Sequence, residues 1–361
     1  MNVQFVINGR FLSQKMTGVN RFAFELCNAL YDAKIDFVVV APRRIEPEYS
    51  IEFKLIRIGL TSSHIWEQFE LPLFLVRDYP KAILINFSGL GPFFSKKNIM
   101  TIHDLSFLAN PNWFKRSYYY YYKIMTPLMA RKCLKILTVS RFSKGEIVGR
   151  LRIHPSKIVV VPNGVKVSNN LQSDRIKIEG YTTSRYILAV SSFDPRKNLD
   201  RLIRVFLSMN IEDCVLVVIG KHGAAFAKPS GIGTASERVK FPGHVNEETL
   251  AEYYAGALFS VSASLYEGFG LPNLESMARG CPVLASSIGP HQEVCGKAAV
   301  YFNPESDDSL AKGINRLLND VSLRKNLSEA GRERAQYFSW HMSARLLVKQ
   351  IEELVLDKVD R

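Results

Sequence analysis

The sequence predicts an α/β protein made of two doubly wound domains, and three observations carry that prediction. Short apolar runs rich in β-branched residues alternate with longer amphipathic stretches. Several runs, such as "CVLVVIG" (214–220), are apolar on both faces, as parallel strands covered by helices must be. The alternation restarts after residue 165, and 361 residues exceed what one core usually organises.

Taken in order, the strand signals of the first half are "NVQFVI" (2–7), "DFVVVA" (36–41), "AILIN" (82–86), "NIMTI" (98–102), "ILTVS" (136–140) and "IVVVPNGV" (158–165). "VNRFAFELCNALYDA" (19–33) has the periodicity of an amphipathic helix between the first two. After a polar stretch at 166–184 come "YILAVSS" (186–192), "CVLVVIG" (214–220), "LFSVSAS" (258–264) and "PVLAS" (282–286). Helical segments at 198–209 and 247–257 separate them, and 343–359 closes the chain with helical periodicity. The expected division is therefore 1–165, 166–342 and a C-terminal helix, 343–361, that packs back on the first domain. No internal repeat of 20–50 residues occurs. In such sheets ligands lie beyond the carboxyl ends of the strands, so residues just after strands are the ones to read.

Composition narrows the class. Hydrophobic residues make up 47% and charged residues 22%, which argues for a folded chain. Five scattered cysteines (27, 133, 214, 281 and 295), with no C-x-x-C pair, argue against a disulfide framework or a zinc site and fit a reducing compartment. The start "MNVQFVINGR" lacks the pattern of a signal peptide. No run approaches the ~18 apolar residues needed to span a bilayer. A cytoplasmic protein is expected. Of the net charge of +13, residues 1–165 carry 23 Lys/Arg against 11 Asp/Glu, whereas residues 166–361 carry 24 against 23. So one-sided a field suggests an anionic partner for the first half. A generically basic, soluble surface is the alternative.

Two stretches carry chemistry. "SSFDPRKNLDRLI" (191–203) follows a strand and opens a helix, with Asn198 as candidate N-cap and Arg196 and Lys197 directly before it. Two adjacent cations at the positive end of a helix dipole repel each other until an anion arrives, which makes phosphate the natural guest. A solvated basic turn is the competing reading. "LYEGFGLPNLE" (265–275) also joins a strand to a helix. Gly268 and Gly270 allow close backbone approach, and Pro272 suits a first helical turn, whose free N–H groups can face a phosphate. Glu275, one turn in, can accept hydrogen bonds from a sugar diol, and Glu267 stands before it. A capping and a surface glutamate are the alternative, which leaves the glycines unexplained.

"EGFGLPNLE" preceded by "DPRKN" strongly resembles the retaining glycosyltransferases of family 4. "MTGVNRFAFEL" (16–26), "TIHDLSFL" (101–108), "LTVSRFSKGEI" (137–147), "VVVPNGV" (159–165) and "EVCGKAAVYFNP" (293–304) agree in the expected order, so the resemblance covers nearly the whole chain. It implies the GT-B architecture, two Rossmann-like domains facing across a cleft. It also implies roles. Glu275 would bind the ribose of a nucleotide-sugar and Glu267 the donor sugar. Arg196 and Lys197, with Gly18 and the segment Gly268, Phe269, Gly270 and Leu271, would hold the diphosphate. His103 would face the donor sugar near the reacting carbon, with Asp104 beside it as a sugar or acceptor contact. Ser191 and Ser192 depart from the Gly and Arg that many members carry, which shifts more of the phosphate load to Arg196. Ala263 and Lys297 also depart, without touching the inferred chemistry.

The implied reaction transfers a hexose with retention, mannose from GDP-mannose being favoured by "HDLSFL" and "DPRKN". UDP-hexoses stay open, and the base is expected near "VKFPGHV" (239–245). No D-x-D occurs, and the Arg/Lys pair can supply the countercharge, so no cofactor and no essential divalent metal is expected. Relatives that extend saccharides on polyprenyl diphosphates suggest such an acceptor, and with it a peripheral place for residues 1–165 on the anionic inner face of the cell membrane. "NWFKRSYYYYYKIM" (112–125) has the aromatic and basic composition of a membrane-interface segment, or is a helix with tyrosines turned into a core. A nucleotide-sugar epimerase of the same fold is the nearest alternative. A phosphorylase would need a pyridoxal-phosphate lysine site, for which the sequence makes no case. Against a nucleic-acid-binding protein, the sequence shows no helix-turn-helix signature, zinc spacing or RNP motif, and against a dinucleotide oxidoreductase no G-x-G-x-x-G follows any strand.

Overall fold

The structure, a computed structural model, describes residues 5–95, 97–166, 185–211, 213–220 and 237–359. Most of the polar stretch 166–184 lies outside the described residues. The chain divides into two compact units. The first comprises residues 1–105, 121–164 and 338–361, and the second 106–120 and 165–337.

The first unit is built on a seven-stranded parallel sheet. Its strands are β1 (Phe5–Asn8), β2 (Phe37–Pro42), β3 (Leu55–Ile58), β4 (Ile83–Asn86), β5 (Asn98–Thr101), β6 (Lys135–Thr138) and β7 (Ile158–Val160), in the order β3-β2-β1-β4-β5-β6-β7. β2 and β4 are buried along their whole length, which matches the apolar runs at 37–42 and 83–85. The helix Gly18–Asp32 starts where the Thr17 hydroxyl accepts a bond from the Asn20 amide. The C-terminal helix Trp340–Val359 lies against it. Close approach fixes that helix at its start. A Cβ on Gly164 would stand 2.3 Å from the Trp340 nitrogen, and Ser343 donates to the Pro162 carbonyl at 2.7 Å.

The second unit has a six-stranded parallel sheet: β8 (Tyr186–Val190), β9 (Val215–Ile219), β10 (Val239–Gly243), β11 (Phe259–Ser262), β12 (Val283–Ser286) and β13 (Ala299–Phe302), in the order β10-β9-β8-β11-β12-β13. Chain order reverses between β8 and β11 here, and between β1 and β4 in the first sheet. Those are the points where open α/β sheets leave a crevice.

The expected strands are present among the described residues, and three more join them: β3, β10 and β13. Each is an edge strand. Their half-solvated faces deny them the apolar run that marks a central strand, and β10 is further interrupted by Pro242 and a register shift.

The segment 112–125 differs from a helix with core-facing tyrosines. The helix runs Arg116–Lys132, and its buried residues are Thr126, Met129 and Ala130. Tyr118, Tyr119 and Tyr122 are half-buried, and Tyr120 and Tyr121 are exposed. The core face comes late because the apolar seam is carried by 126–130 rather than by the tyrosine run.

Candidate active site

In the second unit, the loops after β8, β11 and β12 bring the predicted residues together. After β8 the chain makes a short 3-10 turn, Pro195–Lys197, before the helix Leu199–Ser208. Asn198 sits between them at φ 57°, a left-handed conformation that Asn tolerates better than most residues. Its side chain does not cap the helix. It donates instead to the carbonyls of Ala263 (3.2 Å) and Pro304 (3.0 Å), tying the 191–198 loop to the loop after β11. The Leu265 amide, bonded to the Arg196 carbonyl at 2.7 Å, adds a second tie.

These ties hold Lys197 and Glu267 in contact. Lys197 Nζ lies 2.5 Å from Glu267 Oε1, and both residues are buried. Ser264 donates to the same carboxylate oxygen at 2.8 Å. Arg196 Nε stands 3.2 Å from the carboxylate of Asp194, which also accepts from the Ser192 hydroxyl at 2.6 Å. The two cations expected to lack countercharge therefore each have one. Glu267, seventy positions away, and Asp194, two places back from Arg196, supply it. Burial pushes the Glu267 carboxyl up, but Lys197, Arg196 and His291 outweigh it and hold the pKa at about 2. Glu267 is thus a carboxylate, with Oε2 outside the two bonds made by Oε1.

Beyond Glu267 the backbone turns through Gly270 (φ 94°) into the helix Leu271–Ala278, with Pro272 in its first turn. No side chain caps this helix. Its leading residues, Gly268, Phe269 and Gly270, are buried, and Leu271 begins it. Glu275 is buried within the helix and accepts a bond from the Tyr254 hydroxyl at 3.3 Å.

His291 belongs to this cluster and has no counterpart in the sequence reading. It is fully buried, with Nδ1 3.0 Å from the Ser286 hydroxyl and Nε2 3.4 Å from that of Ser262. It fills the space behind Gly270. One signal was available: in "SIGPHQE" (287–293) it follows β12 as Glu267 follows β11. Burial, opposed by Glu267 and the Ser286 carbonyl and reinforced by Lys197, lowers its pKa from 6.5 to about 4. The unfolded chain therefore binds this proton more readily than the folded one. The stability that follows is full above pH 6.5 and is lost as the pH falls toward 4. Melting temperature is expected to decline over that interval, and His291→Asn to flatten part of the decline. A slope unchanged in the variant would contradict this placement of His291. His103, whose pKa burial also lowers, adds to the same decline.

The first unit holds the other predicted residues. Gly18 opens its helix with exposed backbone, and a Cβ there would meet nothing within 4 Å. His103 follows β5, with Nε2 2.9 Å from the Phe87 carbonyl and its ring 5.0 Å from that of Phe22. That carbonyl can only accept, so Nε2 carries the proton and Nδ1 the lone pair. Asp104 beside it is half-buried. At the β1/β4 switch point lies a buried polar cluster that the sequence reading also missed. Asn8 donates to Glu67 (2.7 Å) and Asn86 (2.8 Å), and Arg10 stands 3.2 Å from Glu67. Burial pushes the Glu67 carboxyl up, but His64, Arg10 and Asn8 together hold it below its ordinary value. Among the described residues, no group of three His, Cys, Asp or Glu side chains is placed to hold a metal ion.

Comparison with known proteins shows the family. Residues 16–169 match the family described as Glycosyltransferase Family 4, and residues 172–334 match Glycosyl transferases group 1. The O-antigen chain mannosyltransferase B of Escherichia coli is 26% identical over 360 residues, covering 90% of this chain and 93% of its own. The MMP alpha-(1->4)-mannosyltransferase of Mycolicibacterium hassiacum is 30% identical over 259 residues, covering 69% of this chain and 62% of its own. Among solved structures, the sucrose-phosphate synthase of Thermosynechococcus elongatus superposes with a TM-score of 0.73 at 20% identity, over 99% of this chain and 100% of that one.

Proposed function

Because the chain belongs to glycosyltransferase family 4, with a group 1 glycosyl transferase domain as its second half, we propose that it moves mannose from GDP-mannose to a saccharide acceptor with retention at the anomeric carbon. The observation that carries this reading is the buried Lys197–Glu267 pair beside an uncapped helix N-terminus at the β8/β11 switch point. A nucleoside diphosphate leaving this site gains negative charge as the sugar departs. Lys197, Arg196 and the backbone amides at Gly270 and Leu271 are fixed groups that can meet that charge without reorganising. Glu267, ionised and held through one oxygen, keeps the other for sugar hydroxyls. Glu275 takes the ribose. Gly18, His103 and Asp104 keep the roles that the family resemblance gives them, His103 as a neutral hydrogen-bonding group.

Mannose is supported by the named activities of the relatives and by no single side chain of this site. The acceptor in this reading is a saccharide on a polyprenyl diphosphate at the inner face of the cell membrane, the reaction being a step of O-antigen-type polysaccharide assembly. The excess positive charge of residues 1–165 suits such an anionic partner. In this reading Arg196 and Lys197, though each paired with a carboxylate, act together with the helix N-terminus on the diphosphate, and no divalent ion is required.

Product analysis tests the reading. With GDP-mannose, UDP-glucose and UDP-galactose offered to a polyprenyl-diphosphate saccharide, an α-mannosylated product from GDP-mannose is expected, and EDTA is expected to leave its rate unchanged. Transfer from UDP-hexoses alone, or C-2 epimerisation of the donor without acceptor, would overturn it.

A further inference from the structure

We propose that the protein lies on an anionic lipid bilayer through one face of its first unit, formed by residues 63–78, residues 121–132 and the Phe94 loop. The inference rests on the membrane-held acceptor proposed above and names the surface that meets the membrane.

Residues 63–78 form three consecutive helical pieces: Ser63–Ile65, the π turn Trp66–Glu70, and Leu71–Asp78. Their inner side is already used. Trp66 and Leu71 are fully buried in the core under β1, β2 and β4, with Phe74 and Leu75 packed against it. Glu67 turns inward to Asn8 and Arg10. Yet the outer side is apolar too. Ile65, Phe69, Leu73 and Val76 are 60%, 69%, 73% and 73% exposed. At helical spacing they fall within about 80° of one another, a single stripe. A surface helix normally turns charged groups outward, so a second apolar stripe in water calls for a partner.

The stripe does not stand alone. The His64 ring lies 6.0 Å from that of Tyr121, which brings residues 121–132 alongside. There Tyr121, Ile124 and Leu128 are exposed large apolar residues on one side of the helix. Gln68 donates to the Gly91 carbonyl at 3.1 Å and accepts from the Phe93 amide at 2.9 Å, while Lys132 Nζ lies 3.7 Å from the centre of the Phe93 ring. The next residue, Phe94, is 77% exposed. These contacts set the three elements side by side, each with exposed large apolar residues.

Charge decides what covers it. Residues 121–132 contain Lys123, Arg131 and Lys132, all exposed, and no acidic residue. Of the carboxylates in 63–78, Glu67 is buried, and Glu70 accepts from the Leu60 and Thr61 amides and the Thr61 hydroxyl. Asp78 is paired with Arg77. The surface is therefore apolar with cations beside it. A second copy of this chain would bring like charges together, whereas an anionic bilayer offers acyl chains to the stripe and headgroups to the lysines and arginines. No helix of the described residues is long and apolar enough to cross a membrane, so the contact is one of lying on the surface.

Co-sedimentation of the full chain with vesicles tests this. The wild type is expected to bind vesicles of phosphatidylcholine with about one third phosphatidylglycerol, and to bind pure phosphatidylcholine at least about tenfold more weakly. Combining I65S, F69S, L73S and V76S is expected to weaken binding on the order of tenfold or more, and combining K123E with R131E to do the same. Because all six side chains are exposed, circular dichroism and melting temperature should match the wild type. Binding by either variant equal to that of the wild type would overturn the proposal. So would a wild-type dimer, seen in sedimentation velocity, that the serine variant dissolves without any vesicle binding. The experiment uses neither donor nor acceptor, so its failure is separate from failure of mannosyl transfer, which product analysis reads.

Discussion

Lys197→Ala is expected to lower kcat at least about 10²-fold and to destabilise the second unit by about 3–5 kcal/mol. Both effects come from one contact. With the ammonium gone, Glu267 stays buried with Ser264 as its remaining polar partner and without its closest positive charge. Breaking one side of a buried pair costs more than the pair contributes, because the surviving charge is left unpaired. Glu267→Gln is the milder change, since the amide keeps the shape and can still meet Lys197. It should keep most of the stability yet lose activity on a comparable scale. The double variant Lys197→Ala/Glu267→Gln separates the two effects. Removing both charges should restore stability to within about 1–2 kcal/mol of wild type while activity stays lost. Thermal melts and initial rates on the four proteins check this. A double variant as unstable as Lys197→Ala would show that the pair does not act through uncompensated charge.

Gly270→Ala is the second large effect. Gly270 adopts φ 94°, and an added Cβ would stand 2.8 Å from His291 Cδ2. The left-handed backbone costs an L-residue about 1–2 kcal/mol. The fully buried imidazole must also move within a packed site, which brings the expected loss to about 2–4 kcal/mol. Any shift of this turn moves the helix terminus proposed to face the diphosphate, so KM for the donor should rise on the order of tenfold. Gly18→Ala is the control. Its Cβ meets nothing, so stability should change by no more than about 0.5 kcal/mol. A Gly270→Ala protein that melts with the wild type would contradict the crowding described at His291.

Much of this architecture was readable before any coordinates, for identifiable reasons. Central strands such as β2 and β9 are buried on both faces and so appear as unbroken apolar runs. The edge strands β3, β10 and β13 are half-solvated and carry no such mark. The loop containing Glu267, Gly270 and Glu275 was legible because glycine, proline and glutamate at a strand-to-helix junction have few structural reasons to occur together. Partnership was not legible. Nothing in the order of residues says that Lys197 meets a carboxylate seventy positions away, or that Asn198 uses its amide to join two loops instead of capping a helix. His291 was hidden because a lone histidine after a strand has no local pattern, and its role comes from burial against Ser262, Ser286 and Gly270. The tyrosine run left an interface segment and a core-facing helix both open, and the exposed apolar stripe at 65–76 needed the fold to reveal it. Only the packing of Trp66, Leu71 and Phe74 shows which side of that helix faces out.

The most direct measurement is calorimetric titration of GDP into the wild type and into the Lys197→Ala/Glu267→Gln protein, chosen because it is expected to stay folded. The wild type should bind one GDP per chain, and the variant at least about tenfold more weakly, for want of the ammonium proposed to meet the diphosphate. Equal affinity in the two proteins would place the nucleotide elsewhere and contradict the site at the β8/β11 switch point.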